Sequence, residues 1–336
     1  MILFSSSLSQ YEGIELPTWR YVPPVLLAIL LSSASPVAAG VAEMFHSEIN
    51  EFRESLGLSP LKWSPSLARL AEQHAARMDE TNELYHERCQ GYNFENVARV
   101  PNTGEPTLTA RLLAITVLSS PPHRWNVLEG NCEGVGVSIS GDYAVLSQKI
   151  SRASDDAVDV RVEVPPFHGV VSTAHRDDVE KAVLDAINRE REQSGLPPLV
   201  LDKELSKRVL EELREAARTL SVTCSSGTLV ILTRLQNPVE IAEDVLGVLR
   251  AVPAGRNFWV PKGRLGVAAL EVTEVTMPDG NRLKLGVVWV GINVVEEMAG
   301  KNRPRRVPFP SYVAIAIPLC YLITRRQTFF TGRPQR

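Results

Sequence analysis

Apolar positions along the first third of the chain fall at helical spacing. Leu67, Leu70, Ala71, His74 and Met78 share one side of a helix that begins near Ser64. Ser64-Pro65 supplies an N-cap oxygen and a proline where the first turn has no hydrogen bond to lose. Upstream, a helical stretch ends at Gly57 and is followed by Leu58-Ser59-Pro60-Leu61. A third helical stretch covers Thr109 to Leu118. The pattern then shortens: Gly134 to Ile139 and Tyr143 to Ile150 are apolar runs joined by Ser140-Gly141-Asp142, which predicts a hairpin. Helices followed by antiparallel strands point to an α+β layered domain.

The same order recurs. Ile49-Asn50-Glu51-Phe52-Arg53 through Leu61 is matched by Ile187-Asn188-Arg189-Glu190-Arg191 through Leu199, at an offset of 187 − 49 = 138. Gly134-Val135-Gly136-Val137 pairs with Gly266-Val267-Ala268-Ala269, at 266 − 134 = 132. Two copies of one domain follow, over 43–152 and 178–297. The linker between them, 153–177, carries Pro165-Pro166 and alternating Val158, Val160, Val162 and Val164, read as one added edge strand. His46, His168 and His175 are read as exposed linker residues.

The ends suggest export. Val25 to Leu31 is a short uncharged apolar run followed by small residues, with Val37 and Ala39 placed for cleavage after Ala39. Residues 1–42 are therefore read as a signal peptide or N-terminal anchor. Near the other end, 307–324 is uncharged, flanked by Arg305-Arg306 and Arg325-Arg326, and just long enough to cross a bilayer. Pro308, Pro310 and Pro318 are tolerated better in a membrane helix than in a soluble one. We read 298–336 as a basic flank, a transmembrane segment and an Arg-rich tail.

Composition narrows the partners. The chain has 336 residues, 44% apolar and 22% charged, with a net charge of −3. It is globular and lacks the basic excess that phosphate backbones attract, which excludes nucleic acid as a partner. Four cysteines, none in a C-x-x-C pair, are too few for a disulfide-dense scaffold. No Gly-rich phosphate loop, Gly-x-Ser-x-Gly elbow or His-Glu-x-x-His helix is present.

The first copy resembles the bacterial and archaeal branch of the CAP superfamily (cysteine-rich secretory, antigen 5, pathogenesis-related; the SCP-like extracellular domain). The residues that carry this are Asn50-x-x-Arg53, Gly57-Leu58-x-Pro60-Leu61-x-Trp63, His74-Ala75-x-x-Met78, His86, Asn93 to Ala98, Ser120-Pro121-x-His123-Arg124-x-Asn126-Val127-Leu128, and Gly134 to Val137. The resemblance implies an α-β-α sandwich, here as a tandem repeat whose second copy is degenerate. It also implies a cleft in which His86, Glu95 and His123 meet; the stretch around His86 and Glu95 is full of Asn, Gly and Tyr, so loops are expected to bring those two together. In some members such a cleft holds a divalent metal. Imidazoles and a carboxylate suit zinc, and a glutamate can instead act as general base. Against the family pattern, a second acid before the last histidine is missing (Ser119-Ser120 stand there) and Pro122 replaces a glycine. In the second copy Cys224 falls opposite His86, and Gly255-Arg256 opposite His123-Arg124.

His74, on the apolar side of its helix, reads as a hydrogen-bonded core histidine. Cys89 and Cys132 are either a disulfide or two separate thiols. The function expected is that of an extracytoplasmic binding module, secreted or membrane-anchored, for a lipid, a cell-envelope component or a surface protein. The alternatives are a metal-dependent hydrolase or peptidase using His86, Glu95 and His123, and a structural envelope spacer.

Overall fold

A computed structural model describes residues 36–88, 91–152, 155–164, 171–175, 177–224, 227–277 and 279–297. The first copy runs α1 (Pro36–Ser55), β1 (Lys62–Trp63), α2 (Pro65–Thr81), β2 (Phe94–Pro101), α3 (Pro106–Leu118), α4 (Pro121–Leu128), β3 (Gly134–Ser140) and β4 (Tyr143–Ser151). Ser64 caps α2, its side chain accepting from the Leu67 amide with Pro65 in the first turn, as the sequence predicted. The strands form one sheet, ordered β1-β3-β4-β2, with β1 parallel to β3 and the rest antiparallel. Helix α2 packs on β3 and β4, while α1 and α3 pack on each other and on the sheet. This is an α-β-α sandwich. The close approach of α2 needs Gly136: a Cβ there would lie 2.1 Å from the Ala68 nitrogen and the Leu67 carbonyl carbon.

The second copy repeats the order as α5 (Asp177–Gln193), β6 (Val200–Leu201), α6 (Lys203–Thr219), β7 (Leu229–Arg234), α7 (Pro238–Ala251), a 3-10 turn (Pro253–Trp259), β8 (Gly263–Thr276) and β9 (Arg282–Glu296). The repeat extends to individual hydrogen bonds. Asn50 Nδ2 donates to the Leu61 carbonyl at 3.0 Å and Asn188 Nδ2 to Leu199 at 3.1 Å; each asparagine oxygen takes the same partner's amide at 2.8 Å. Arg53 and Arg191, both buried, donate from Nε to the carbonyls of Ser59 (2.8 Å) and Pro197 (2.9 Å). One alignment is corrected. Trp63 pairs with Val135 and Leu201 with Leu265, so Gly266 stands opposite Gly136, two residues on from Gly134. Both glycines face their helix, at Leu67 and Leu205.

The copies pack as one body within the compact unit that ends at Glu297, and a single buried apolar cluster runs through both. Arg124, fully buried on α4, donates to the carbonyl of Leu118 at 2.8 Å and across to that of Leu232 at 2.6 Å, and pairs with Asp244 on α7. Arg111 on α3 pairs with Glu48 at 2.7 Å and donates to the Thr219 carbonyl of the second copy. The Ala254 amide donates to the Leu56 carbonyl at 3.1 Å.

Between the copies, Val158 makes one bridge to Trp63, and the added strand is β5 (Val171–His175), paired with β8. The edge strand therefore forms later than the valine alternation suggested. His175 falls in β5, His168 lies outside the described residues, and His46 is a correction. It is 1% exposed on α1, its Nε2 2.8 Å from the Leu61 carbonyl and its ring edge-on to Trp63. Residues 1–35 and 298–336, including 307–324, lie outside the described residues. Helix α1 starts ahead of the cleavage point expected after Ala39, and Val41 and Ala42 are buried. Among the described residues no helix is long and apolar enough to cross a membrane.

Candidate functional site

Three elements bring the sequence-predicted residues together. His86 sits in the loop between α2 and β2, Glu95 is the second residue of β2, and His123 is the third residue of α4. Glu95 is thus held by a strand, where a loop was expected. His86 Nδ1 lies 3.1 Å from Glu95 Oε2, and the rings of His86 and His123 have centroids 6.3 Å apart. The Asn96 amide group donates to the His123 carbonyl at 3.1 Å, and Asn126 donates to Asn96 Oδ1 at 2.7 Å and to the Glu95 carbonyl at 3.3 Å. These bonds tie α4 to β2 and fix the spacing of the trio.

Beneath Glu95 lies a second layer. His74, buried on α2 as expected, places Nδ1 2.9 Å from Glu95 Oε1. The residue that sequence reasoning missed is Lys149 on β4. Register sets it opposite Glu95, and its ammonium pairs with Oε1 of that carboxylate. The Lys149 side chain is 0% exposed. Its Nζ also lies 3.2 Å from His74 Nδ1, 3.2 Å from the Tyr92 hydroxyl and 3.4 Å from Glu87 Oε2, and 4.3 Å from the Tyr92 ring centroid. Arg77 completes the group by pairing with Glu87. A signal was available: a lysine inside the apolar run Tyr143 to Ile150 is rarely buried without a partner.

Electrostatics follow from this layering. Burial works against charge on Lys149, but its hydrogen bonds and attraction to Glu95 and Tyr92 outweigh it and hold the pKa above the usual value. Glu87 is held below its usual value: burial pushes up, while Arg77, His74 and Lys149 together pull down. Burial lowers the pKa of His74, with Glu95 opposing. Burial lowers that of His123 too, helped by the charges of His86 and of Arg234, the last residue of β7 in the second copy. His123 Nδ1 is buried with no hydrogen-bond partner.

Residues 46–148 match the family model for CAP, the cysteine-rich secretory protein family. The chain carries a CAP domain. The matched stretch ends one residue before Lys149. No curated protein matches the chain. Among solved structures, an extracellular protein containing a SCP domain from Bacillus anthracis str. Ames is 18% identical over 34% of this chain and 41% of its own, with a TM-score of 0.28. The chain thus spans about two fifths of that neighbour. Na-ASP-1 is 9% identical over 78% of this chain and 90% of its own, with a TM-score of 0.26.

The CAP cleft can be tested for zinc, which takes three protein ligands in a catalytic site. Glu95 is already engaged: Oε1 faces Lys149 and His74, while Oε2 takes the Glu87 amide at 2.9 Å and faces His86. That leaves His86 Nε2 and His123. Two imidazoles on one tetrahedral zinc have ring centroids about 5 Å apart, closer than the 6.3 Å between His86 and His123. The residues do not fit a zinc site as arranged. Of the cysteine pair, Cys132 is a free buried thiol, pushed up to about 11 chiefly by burial, and Cys89 lies outside the described residues.

In the second copy the cleft chemistry is gone. The repeat offset sets Glu212 opposite His74. Extending the β7–β9 register by one step sets Thr228 and Asn293 opposite Glu95 and Lys149. Thr228 donates to Glu212, and Asn293 Nδ2 lies 3.4 Å from the Thr228 hydroxyl.

Proposed function

We propose that this CAP-domain chain is an extracytoplasmic binding module, secreted or anchored in the envelope, whose cleft takes an anionic group of a lipid or cell-envelope component. The observation that carries this reading is the engagement of Glu95. A general base or metal ligand must have a free lone pair, and this carboxylate is neutralised by a buried ammonium and surrounded by donors. What remains at the mouth suits binding. His86 is exposed, with Nδ1 turned to Glu95, burial favours the neutral form of His123, and Arg234 adds positive charge from the second copy. Arg234 is exposed at the end of β7, so its charge is open to a ligand.

The test is co-sedimentation of the full chain with vesicles of neutral lipid alone and of neutral lipid mixed with phosphatidylglycerol. Soluble wall fragments serve as competitor. Charge-assisted hydrogen bonds are worth about 1.5–3 kcal/mol, so His86→Ala and Arg234→Ala should each weaken binding roughly tenfold or more. Peptide and ester turnover are measured alongside. Chelator-sensitive turnover lost in both His86→Ala and His123→Ala would reject the binding reading in favour of a hydrolase.

A further inference from the structure

We propose that Lys149 is the cleft's own cation, its ammonium standing where His74, Glu87 and Glu95 would otherwise hold a divalent metal ion. One donor atom from each of these three residues lies within 4.8 Å of the others, a spacing that could close on one ion. Lys149 Nζ is already among them, against Glu95 Oε1, 3.2 Å from His74 Nδ1 and 3.4 Å from Glu87 Oε2. A metal ion bonds its nitrogen and oxygen ligands at about 2.0–2.2 Å, which would put two cations in one small buried volume. The charges also close without metal: two carboxylates, Glu87 and Glu95, face two cations, Lys149 and Arg77. Tyr92 seats the ammonium by its hydroxyl and the face of its ring.

The inference uses the same Lys149–Glu95 pair as the binding reading, yet its test needs no ligand and so fails or succeeds separately. Zinc is titrated into the full chain against a chromophoric chelator, for the unaltered protein, Lys149→Met, and Lys149→Met/His74→Ala. The unaltered protein should take up no stoichiometric zinc at micromolar concentration. Lys149→Met should bind one ion per chain, and the added His74→Ala change should weaken it roughly tenfold or more. If Lys149→Met folds only with metal, its melting temperature should rise with zinc while that of the unaltered protein does not. Three results would overturn the inference. One is stoichiometric zinc in the unaltered protein that is lost on His74→Ala. Another is a folded Lys149→Met that binds none. The third is a Lys149→Met chain that stays unfolded in saturating zinc although Lys149→Met/Glu95→Gln folds.

Discussion

Arg124 is one of the residues through which the two copies hold one another, and Arg124→Met measures its share of that hold. The substitution keeps most of the volume of a side chain that is 0% exposed, so packing changes little. It removes the donors to the Leu118 and Leu232 carbonyls and leaves the Asp244 carboxylate, 11% exposed, without its cation. Breaking a buried pair from one side costs about 3–5 kcal/mol, a large share of the roughly 5–15 kcal/mol that holds a native domain together. Asp244→Asn should cost less, because Arg124 keeps both carbonyls. The pair is imperfectly satisfied, since Arg124 Nε and Asp244 Oδ2 have no partner. Arg124→Met/Asp244→Leu should therefore recover at least half of the loss, as buried pairs replaced by apolar groups often do. The assay is urea unfolding of the full chain followed by tryptophan fluorescence. Trp125 reports from α4, beside Gly247 of the second copy, and buried Trp289 reports from β9. One transition is expected for the unaltered protein. Two separate transitions, or an Arg124→Met chain within about 1 kcal/mol of the original, would refute the claim that this contact joins the copies.

Two further outcomes follow from the same geometry. Gly136→Ala drives a methyl into the α2 backbone, whereas Gly266→Ala meets chiefly the Leu205 side chain, at 2.5 Å from Cγ. Overpacking costs about 1–3 kcal/mol, and more where backbone must move; Gly136→Ala should have the lower melting temperature of the two, and the reverse order would count against the closer backbone contact at Gly136. Burial depresses the pKa of His46, His74 and His123 below the usual 6.5. The unfolded chain then binds protons first as pH falls, so stability is complete above about pH 6.5 and declines below it, by up to about 1.4 kcal/mol per pH unit for each histidine kept neutral. Melting curves from about pH 7.5 to about 5 should show this decline, and His46→Gln should flatten it.

What the sequence could disclose was whatever is local or periodic. The Ser64 cap, the β3–β4 hairpin and the 138-residue repeat follow from neighbours along the chain, and each is present. The meeting of His86 with Glu95 came from the resemblance, because nine residues of loop and strand can close in many ways. Lys149 was overlooked because its partner is set by cross-strand register, 54 residues away. His46 reads as an exposed linker residue because nothing beside it in the chain buries it; Leu61 and Trp63, which do, arrive only through tertiary packing. The joint between the copies rests on Arg124 and Arg111, whose partners lie more than 100 residues away.

The two copies also separate residues that hold the fold from residues that define the cleft. Asn50 and Arg53 have working counterparts in Asn188 and Arg191, because each bonds to the backbone and serves the chain path whatever the cleft does. Glu95 and Lys149 bond to each other, and their counterparts Thr228 and Asn293 are both uncharged. Losing one member of a buried ion pair is costly, while replacing both by well-packed apolar groups of similar volume is often close to neutral. A cleft built on such a pair can therefore be removed whole without unfolding its scaffold. The second copy then serves the first through the surfaces it still presents: the Leu232 carbonyl and Asp244 hold Arg124, and Arg234 projects charge toward His123. On this reasoning Glu95→Leu/Lys149→Met in the first copy should fold nearly as well as the original, while either single change should not.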